Sequence, residues 1–368
     1  MKKYLFIYGP LGGGGAERVL LDILNNFDYS QFQVDLCVLF PGGVLFHEIP
    51  KEVHIIPLYS GYTKSFSFDY HLSTDLGIDY FLKKKLKTKL KDEYDIIISF
   101  LEGLPLKLHA LTNLHGRHYS WVHCDLYNFP YEKGQFHKGE ELRAYNKMNK
   151  VVCVAQDTAN AFKNRFPECI TDTLVLYNPI DIDKVLSKSK EKDIRYDKFT
   201  VIIVGRLTLQ KRIDRIIRLA RRLKEEHLTD IQFIILGEGE LRGEIEKQIS
   251  ALDVTDMIQL LGFKKNPFPY IKAADMMLIS SMAEGFSLVT CEAMVLGIPV
   301  LSTKTAGPIE ILDKNEYGLL CDHDDESIYQ AFILLFKNKS LRLKYSHKAK
   351  ERIKAFNVHS TMKKIYEL

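Results

Sequence analysis

Two glutamates eight residues apart, Glu284 and Glu292, hold the clearest chemistry in this sequence. They lie in Ser281-Met282-Ala283-Glu284-Gly285-Phe286-Ser287-Leu288-Val289-Thr290-Cys291-Glu292-Ala293-Met294, directly after the apolar run Met276–Ile279. A strand over that run and a helix from about Ser287 place Glu284 on the loop between them. Glu292 then falls about one and a half turns into the helix. Exposed N–H groups of Gly285 and Phe286 lie between the two carboxylates, beside Ser287 and Leu288 at the helix start. Carboxylates accept hydrogen bonds from adjacent hydroxyls, so sugar and ribose hydroxyls are natural partners. Spacing alone is weak evidence, because Glu292 also fits a buried helix glutamate satisfied by backbone.

Cations with a complementary role occur in Val204-Gly205-Arg206-Leu207-Thr208-Leu209-Gln210-Lys211-Arg212. Arg206 and Lys211 stand between a strand and the next helix, where two positive charges beside a helix N-terminus suit a diphosphate. Arg212, Arg215 and Arg218 read as a solvated basic turn. Gly12-Gly13-Gly14-Gly15-Ala16-Glu17-Arg18 follows the first strand, and its glycines allow backbone to approach an anion at a helix start. A tight strand-to-helix turn accounts for the same glycines. The dinucleotide fingerprint fails here, since its third glycine position falls on Glu17 and the second strand ends in Leu39-Phe40-Pro41 without an acid. A P-loop would need Gly-Lys-Ser/Thr, which is absent. Asp181-Ile182-Asp183 and Asp322-His323-Asp324 contain an Asp-x-Asp spacing. The first belongs to a domain crossing and the second precedes a helix at Glu326, where acids act as caps, so no metal site is expected.

The elements that must position these groups alternate strand and helix, which points to βα units and parallel sheets. Strands are expected at Tyr4–Tyr8, Val34–Phe40, Ile96–Phe100, Tyr119–His123 and Val151–Val154, then at Thr200–Val204, Gln232–Leu236, Met276–Ile279 and Pro299–Ser302. Helices fall between them, as at Ala16–Leu24, Ile213–Glu226 and Glu240–Leu252. Tyr177-Asn178-Pro179-Ile180-Asp181 and the charged stretch Lys184 to Lys198 separate the two series. The expectation is α/β: two doubly wound, Rossmann-like domains facing each other across a cleft, over residues 1–178 and 179–350, with a tail 351–368. Ligands in such sheets sit beyond the carboxyl ends of the strands.

The 368 residues suit two domains, and 46% apolar with 27% charged residues excludes a disordered chain. No 20-residue apolar span occurs. The start Met1-Lys2-Lys3-Tyr4-Leu5-Phe6-Ile7-Tyr8-Gly9 breaks into Gly-Pro too early for a signal peptide and reads as a buried strand. Cys37, Cys124, Cys153, Cys169, Cys291 and Cys321 form no CxxC pair and suit reduced thiols in a cytoplasmic protein. A net charge of +4 gives no support to nucleic-acid binding.

Taken in order, these segments resemble the retaining glycosyltransferases of the large GT-B group called family four. The resemblance spans Gly14-Gly15-Ala16-Glu17, His123 after Trp121-Val122, Asn178-Pro179-Ile180-Asp181, Gly205-Arg206-Leu207 with Lys211, Gly237-Glu238-Gly239, Leu261-Gly262-Phe263, Glu284/Glu292 and Gly307. It implies a GT-B fold, with a donor diphosphate held by Arg206 and Lys211 and with Gly262 and Phe263 beside the base. It further implies Glu292 on the ribose and Glu284, with the backbone of Gly285 and Phe286, on the transferred sugar. His123 and the Gly14–Gly15 loop would complete the site, His123 as a sugar-hydroxyl ligand. Retention, a UDP-sugar donor (GDP next) and no cofactor or metal are also implied. The acceptor would be a glycan or lipid-linked glycan of envelope polysaccharide synthesis. Ala306-Gly307-Pro308 departs from relatives with two glycines there, and Pro308 removes an N–H donor.

On the acceptor side, Glu17 and Glu102 of Glu102-Gly103-Leu104-Pro105 follow the first and third expected strands. Residues 78–91 place Ile78, Leu82, Leu86 and Leu90 on one helical stripe with lysines on the other faces. That pattern suits a helix lying on an anionic membrane, with the protein peripheral on its cytoplasmic face. It suits equally a helix packed on its own sheet. Two rival functions use the same scaffold: a nucleotide-sugar epimerase, which would alter sugar without an acceptor, and a non-catalytic carbohydrate-binding protein. The second has no need of Arg206, Lys211, Glu284 and Glu292 together.

Overall fold

The computed structural model describes residues 1–91, 93–128 and 134–368. They form two compact units, Met1–Pro179 with Val358–Leu368, and Ile180–Asn357.

The first unit runs β1 (Lys2–Tyr8), α1 (Gly15–Asn25), β2 (Phe32–Val38), β3 (His54–Pro57), α2 (Lys64–Leu76), α3 (Tyr80–Lys89), β4 (Glu93–Ser99), α4 (Leu104–Ala110), β5 (His115–Val122), α5 (Glu140–Tyr145), β6 (Lys150–Cys153), α6 (Gln156–Arg165) and β7 (Thr173–Val175). A terminal helix, Val358–Tyr366, closes it. The second runs α7 (Ile182–Lys188), β8 (Phe199–Val204), α8 (Ile213–Glu225), β9 (Ile231–Leu236), α9 (Arg242–Ala251), β10 (Ile258–Gly262), α10 (Phe268–Ala273) and β11 (Met276–Ile279). It continues through α11 (Leu288–Val295), β12 (Val300–Thr303), α12 (Ala306–Leu312), β13 (Leu319–Cys321), α13 (Asp325–Lys337) and α14 (Lys339–Arg352).

The strand orders are β3-β2-β1-β4-β5-β6-β7 and β10-β9-β8-β11-β12-β13. Neighbours pair in parallel throughout, in register such as Tyr4 with Val34 and Ile96, or Val201 with Phe233 and Met276. Helices cover such strands on both faces, so the central ones carry apolar runs, as in Tyr4 to Tyr8 and Phe233 to Leu236, all buried. In each sheet the order reverses beside the first strand, between β1 and β4 and between β8 and β11. Those two switch points are where an α/β sheet opens room for a ligand.

Two differences from expectation concern the sheet edges and the terminal segment. The strands β3, β7, β10 and β13 were absent from the sequence reading, and they are the four edges of the two sheets. The terminal segment that joins the first unit begins at Val358 rather than at 351. Ile353 and Phe356 stay in the second unit, where Phe356 meets Phe286 edge-on at 5.4 Å. Tyr366, by contrast, stacks on Phe32 at 4.5 Å. Of the two readings of the stripe Ile78, Leu82, Leu86 and Leu90, the last three residues follow the packed one, buried in a cluster with Leu5, Ile7 and Tyr59, while Ile78 is 46% exposed. The six cysteines are free thiols.

Candidate active site

At the β8/β11 switch point the loops after the two strands are laced together. The Lys211 ammonium donates to Glu284 Oε1 at 2.6 Å, and the Ser281 hydroxyl donates to the same oxygen at 2.6 Å. Gln210 bridges the loops, its amide donating to the Ala283 carbonyl at 2.8 Å while its own carbonyl accepts from Met282 N at 2.8 Å. The Ser280 hydroxyl donates to the Lys211 carbonyl at 2.9 Å. Lys211 therefore has both its backbone and its charge fixed. A pocket at this edge is lined by Gly205, Lys211, Ser280, Ser281, Glu284 and Val289.

Arg215 corrects one expectation. It is not a solvated turn residue but is 7% exposed, and its guanidinium donates to the Ser280 carbonyl at 2.7 Å beneath the loop. Burial lowers its pKa, yet an arginine stays charged. Arg212 and Arg218 instead both bond Asp214. Burial alone would push that carboxyl up, but the two guanidinium partners hold it at about 2. Arg206, on the same loop as Lys211, is exposed and makes no ion pair among the described residues.

Glycines shape this edge at the points of closest approach. A Cβ on Gly237 would lie 1.8 Å from the Gly205 carbonyl oxygen, and Gly237 has φ +152°. A Cβ on Gly307 would lie 2.1 Å from the Gly285 oxygen, and the Gly307 N–H donates to the Glu284 carbonyl at 3.3 Å. Pro308 sits in the first turn of α12, where a helix leaves its N–H groups without intrahelical partners, so the proline costs the helix no bond. Gly285 carries the turn between Glu284 and α11, and Phe286 turns its ring inward, 7% exposed. Ser287 is the buried N-cap residue of α11, with Leu288 first in the helix, and its hydroxyl accepts from Thr290 at 2.9 Å. Glu292, half-buried, is the fifth residue of α11. Gly262 ends β10 at φ +72°, and Phe263 beyond it is 52% exposed.

The first unit holds its polar groups differently. His123 follows β5 with its ring against Phe100 at 5.0 Å. Burial drives its pKa down to about 3, offset in part by the Phe100 carbonyl that accepts from the ring. Its Nε2 is buried with no partner among the described residues. The ring proton is thus on Nδ1, and Nε2 presents a lone pair to which a hydroxyl can donate. Glu102, in the turn after β4, accepts from His123 N at 2.9 Å and from the Cys124 thiol. Burial pushes the Glu102 carboxyl up in spite of these bonds. Its carboxylate fixes the backbone of His123. Gly14 caps α1, and Glu17 folds back so closely that a Cβ on Gly14 would lie 2.4 Å from its carboxylate. Gly15 begins the helix. The Tyr8 phenol, raised by burial and then by the Glu17 and Glu102 charges, hydrogen-bonds Glu17.

The structure thus brings Lys211 and Glu284 into contact in one unit, and Glu102 and the His123 backbone in the other. Sequence reasoning missed Ser281, Gln210 and Tyr8. Ser281, three residues before Glu284, and Tyr8, the last residue of a buried strand, were legible only as neighbours. Both Asp-x-Asp segments contribute a helix cap: Asp181 accepts from Lys184 N at 2.9 Å and Asp324 from Ser327 N at 2.8 Å. Among the described residues, no cluster of three or more His, Cys, Asp or Glu side chains is arranged to hold a metal ion.

Known proteins share this sequence and fold. The sequence pattern described as Glycosyltransferase Family 4 matches residues 13–184, and that described as Glycosyl transferases group 1 matches 186–352. The chain is 29% identical, over 97% of its length and 96% of the relative's, to N-acetylgalactosamine-N,N'-diacetylbacillosaminyl-diphospho-undecaprenol 4-alpha-N-acetylgalactosaminyltransferase of Campylobacter jejuni. A second protein of that organism, a GalNAc-alpha-(1->4)-GalNAc-alpha-(1->3)-diNAcBac-PP-undecaprenol alpha-1,4-N-acetyl-D-galactosaminyltransferase, is 24% identical over 97% of the chain and 95% of the relative. Among solved structures, Anabaena HepE in complex with UDP and glucose superposes with a TM-score of 0.77 at 20% identity, covering 100% of this chain and 99% of that one.

Proposed function

The chain belongs to the family 4, group 1 glycosyltransferases of GT-B fold, and on that premise we propose that it transfers an N-acetylhexosamine or hexose from a UDP-sugar, with retention, to a glycan carried on a lipid diphosphate. The observation that carries this reading is the Lys211–Glu284–Ser281 cluster at the β8/β11 switch point. Lys211 has three N–H donors, so it can keep Glu284 and still meet a phosphate oxygen. Arg206, exposed on the same loop, adds a second cation for the diphosphate. Glu284, its Oε1 already holding Lys211 and Ser281, offers Oε2 to a sugar hydroxyl. Glu292 on α11 takes the ribose hydroxyls, and Gly262 with Phe263 flanks the base.

Glycosyl transfer develops positive charge on the sugar and negative charge on the departing diphosphate. Lys211 and Arg206 stabilise that leaving group, and their groups are set before the reaction begins. Neutral His123 accepts from a hydroxyl through Nε2 and does not act as an acid at neutral pH, consistent with its low pKa. Glu102 is its positioning residue, Glu17 belongs with it to the acceptor side, and the Gly14–Gly15 turn faces the donor. The lipid-diphosphate acceptor is proposed from the diphospho-undecaprenol acceptors in the names of the two Campylobacter jejuni relatives.

The test is a thermal-shift screen of nucleotide sugars, followed by nuclear magnetic resonance of the product's anomeric centre. A saturating UDP-sugar at 100 times its Kd should add about 2.7 kcal/mol. Stabilisation by a UDP-sugar and an α-product from an α-donor are expected. An altered sugar released without acceptor would instead identify an epimerase.

A further inference from the structure

One charged side chain of the second unit is buried without a countercharge of its own. Arg215, the third residue of α8, is 7% exposed, and its guanidinium donates to a neutral group, the Ser280 carbonyl, at 2.7 Å. The charged groups that act on it are Arg212, Asp214, Arg218 and Asp325. Both acids are already engaged. Asp214 accepts from Arg212 at 2.9 and 2.8 Å and from Arg218 at 2.8 Å. Asp325, the first residue of α13, accepts from Arg218 through both carboxylate oxygens. Arg212 and Arg218 thus take the two carboxylates, and Arg215 makes no ion pair among the described residues.

Its neighbours place that charge beside the charged switch point. The Ser280 hydroxyl donates to the Lys211 carbonyl at 2.9 Å and lies 3.2 Å from the Arg212 carbonyl. Ser280 and Lys211 line one pocket with Gly205, Ser281 and Glu284, so Arg215 is one hydrogen bond removed from a residue of its wall. A guanidinium held out of water by a single bond to a carbonyl is costly, because lost solvation exceeds what one neutral acceptor returns. A buried charge is also poorly screened, and its field reaches a ligand that it does not touch.

We propose that Arg215 is a third cation of the donor diphosphate site, acting through its field from behind Ser280 while Lys211 and Arg206 make the contacts. The inference rests on the donor reading given above and adds to it a charge that is in place before the ligand arrives. A diphosphate in the pocket supplies the countercharge that Asp214 and Asp325 give to Arg212 and Arg218 instead. The competing role is a mechanical prop, in which Arg215 holds the Ser280 loop by its N–H group and its charge has no effect on the ligand. The two roles differ in what a neutral donor at the same position would do.

The experiment compares Arg215→Lys, which keeps the charge, with Arg215→Gln, which keeps N–H donors without it. UDP is titrated by calorimetry into the unaltered chain and both variants, and each protein is melted without ligand. Arg215→Lys should hold UDP within about threefold of the unaltered chain and Arg215→Gln should weaken it about tenfold, the scale of one partly buried charge acting on a diphosphate. Without ligand, Arg215→Gln should melt no lower than Arg215→Lys, since the charge that loses solvation is gone. Equal UDP affinity in the two variants, or weaker binding by Arg215→Lys, would overturn the proposal and leave the prop. An Arg215→Gln chain that melts well below Arg215→Lys would also overturn it, because the charge would then serve the fold. Failure of the unaltered chain to bind any nucleoside diphosphate would remove the donor reading and this inference with it. UDP weakened by Lys211→Ala but not by Arg215→Gln would sink this inference alone.

Discussion

Beside the switch point of the first sheet, between β1 and β4, burial works against the charged forms of His123 and Glu102; at that of the second, between β8 and β11, the polar groups are charged and paired. His123 has lost its proton to burial and Glu102 is pushed towards keeping its own. Lys211 and Glu284 are half-buried and touch, with Arg206 exposed beside them. The same doubly wound architecture thus offers two environments. On the proposed function, the one would recognise hydroxyls by placed lone pairs and the other would meet a doubly charged leaving group. The contrast comes from a few residues in the loops, since the sheets beneath are built alike.

The largest expected break in this comparison is Lys211→Ala, which removes the cation that the second unit fixes most firmly. Turnover with a UDP-sugar should fall about 10²-fold or more, the scale for losing one stabilising group, read in a steady-state nucleotide-release assay. Loss of under threefold would contradict the role of the charged edge.

Acid should separate the two units next. His109, His118 and His123 are all lowered from their ordinary value by burial, and His109 Nε2 lies 2.9 Å from His118 Nδ1. A histidine lowered on folding binds fewer protons than in the unfolded chain. Its stabilising effect is complete above the ordinary value of 6.5 and is lost as pH falls towards the folded value, about 3 for His123. Glu102, raised on folding, acts in the opposite sense but is one group against three. In the second unit Asp214, held at about 2, weakens the fold only as pH drops below the ordinary carboxylate value of 3.8. Calorimetry at about pH 7.5 and about pH 5 should show the first unit's transition falling while the second's stays. A common shift of both would contradict it.

Positioning effects are smaller. Glu102→Ala should lower kcat about tenfold by freeing the His123 backbone, and Glu102→Gln, which keeps an acceptor, should restore most of it. A role limited to folding would lower the thermal transition in both without this rescue. Smallest of all, excess chelator should leave turnover unchanged, because Arg206 and Lys211 are assigned the charge that a metal would otherwise neutralise. Activity lost with chelator and regained with manganese would return that task to a cation.

Much of this was legible in the sequence where burial repeats a pattern. The central strands carry apolar runs of four or more residues, so β1, β8, β9 and β11 could be read directly. The edge strands β3, β7, β10 and β13 could not. His54 at the start of β3 and Gln259 within β10 are exposed, so half of each signal is missing. The stripe Leu82, Leu86, Leu90 announced an amphipathic helix without saying which apolar set faced inward, and the exposed Phe68, Tyr80 and Phe81 fell outside its period. Arg215 read as a surface cation because nothing local shows that Ser280, 65 residues later, supplies a carbonyl above it. The contact of Lys211 with Glu284 spans 73 residues and was legible only as two motifs.

Calorimetric titration of UDP and of the matching UDP-sugar into the full chain, Lys211→Ala and Glu284→Gln tests the division of labour at the second switch point most directly. Lys211→Ala should weaken both ligands by roughly tenfold or more, as expected for a lost charge-assisted bond. Glu284→Gln should leave UDP within about threefold while weakening the UDP-sugar about tenfold. UDP binding unchanged in Lys211→Ala, or lost in Glu284→Gln, would contradict the assignment of the diphosphate to Lys211 and the sugar to Glu284.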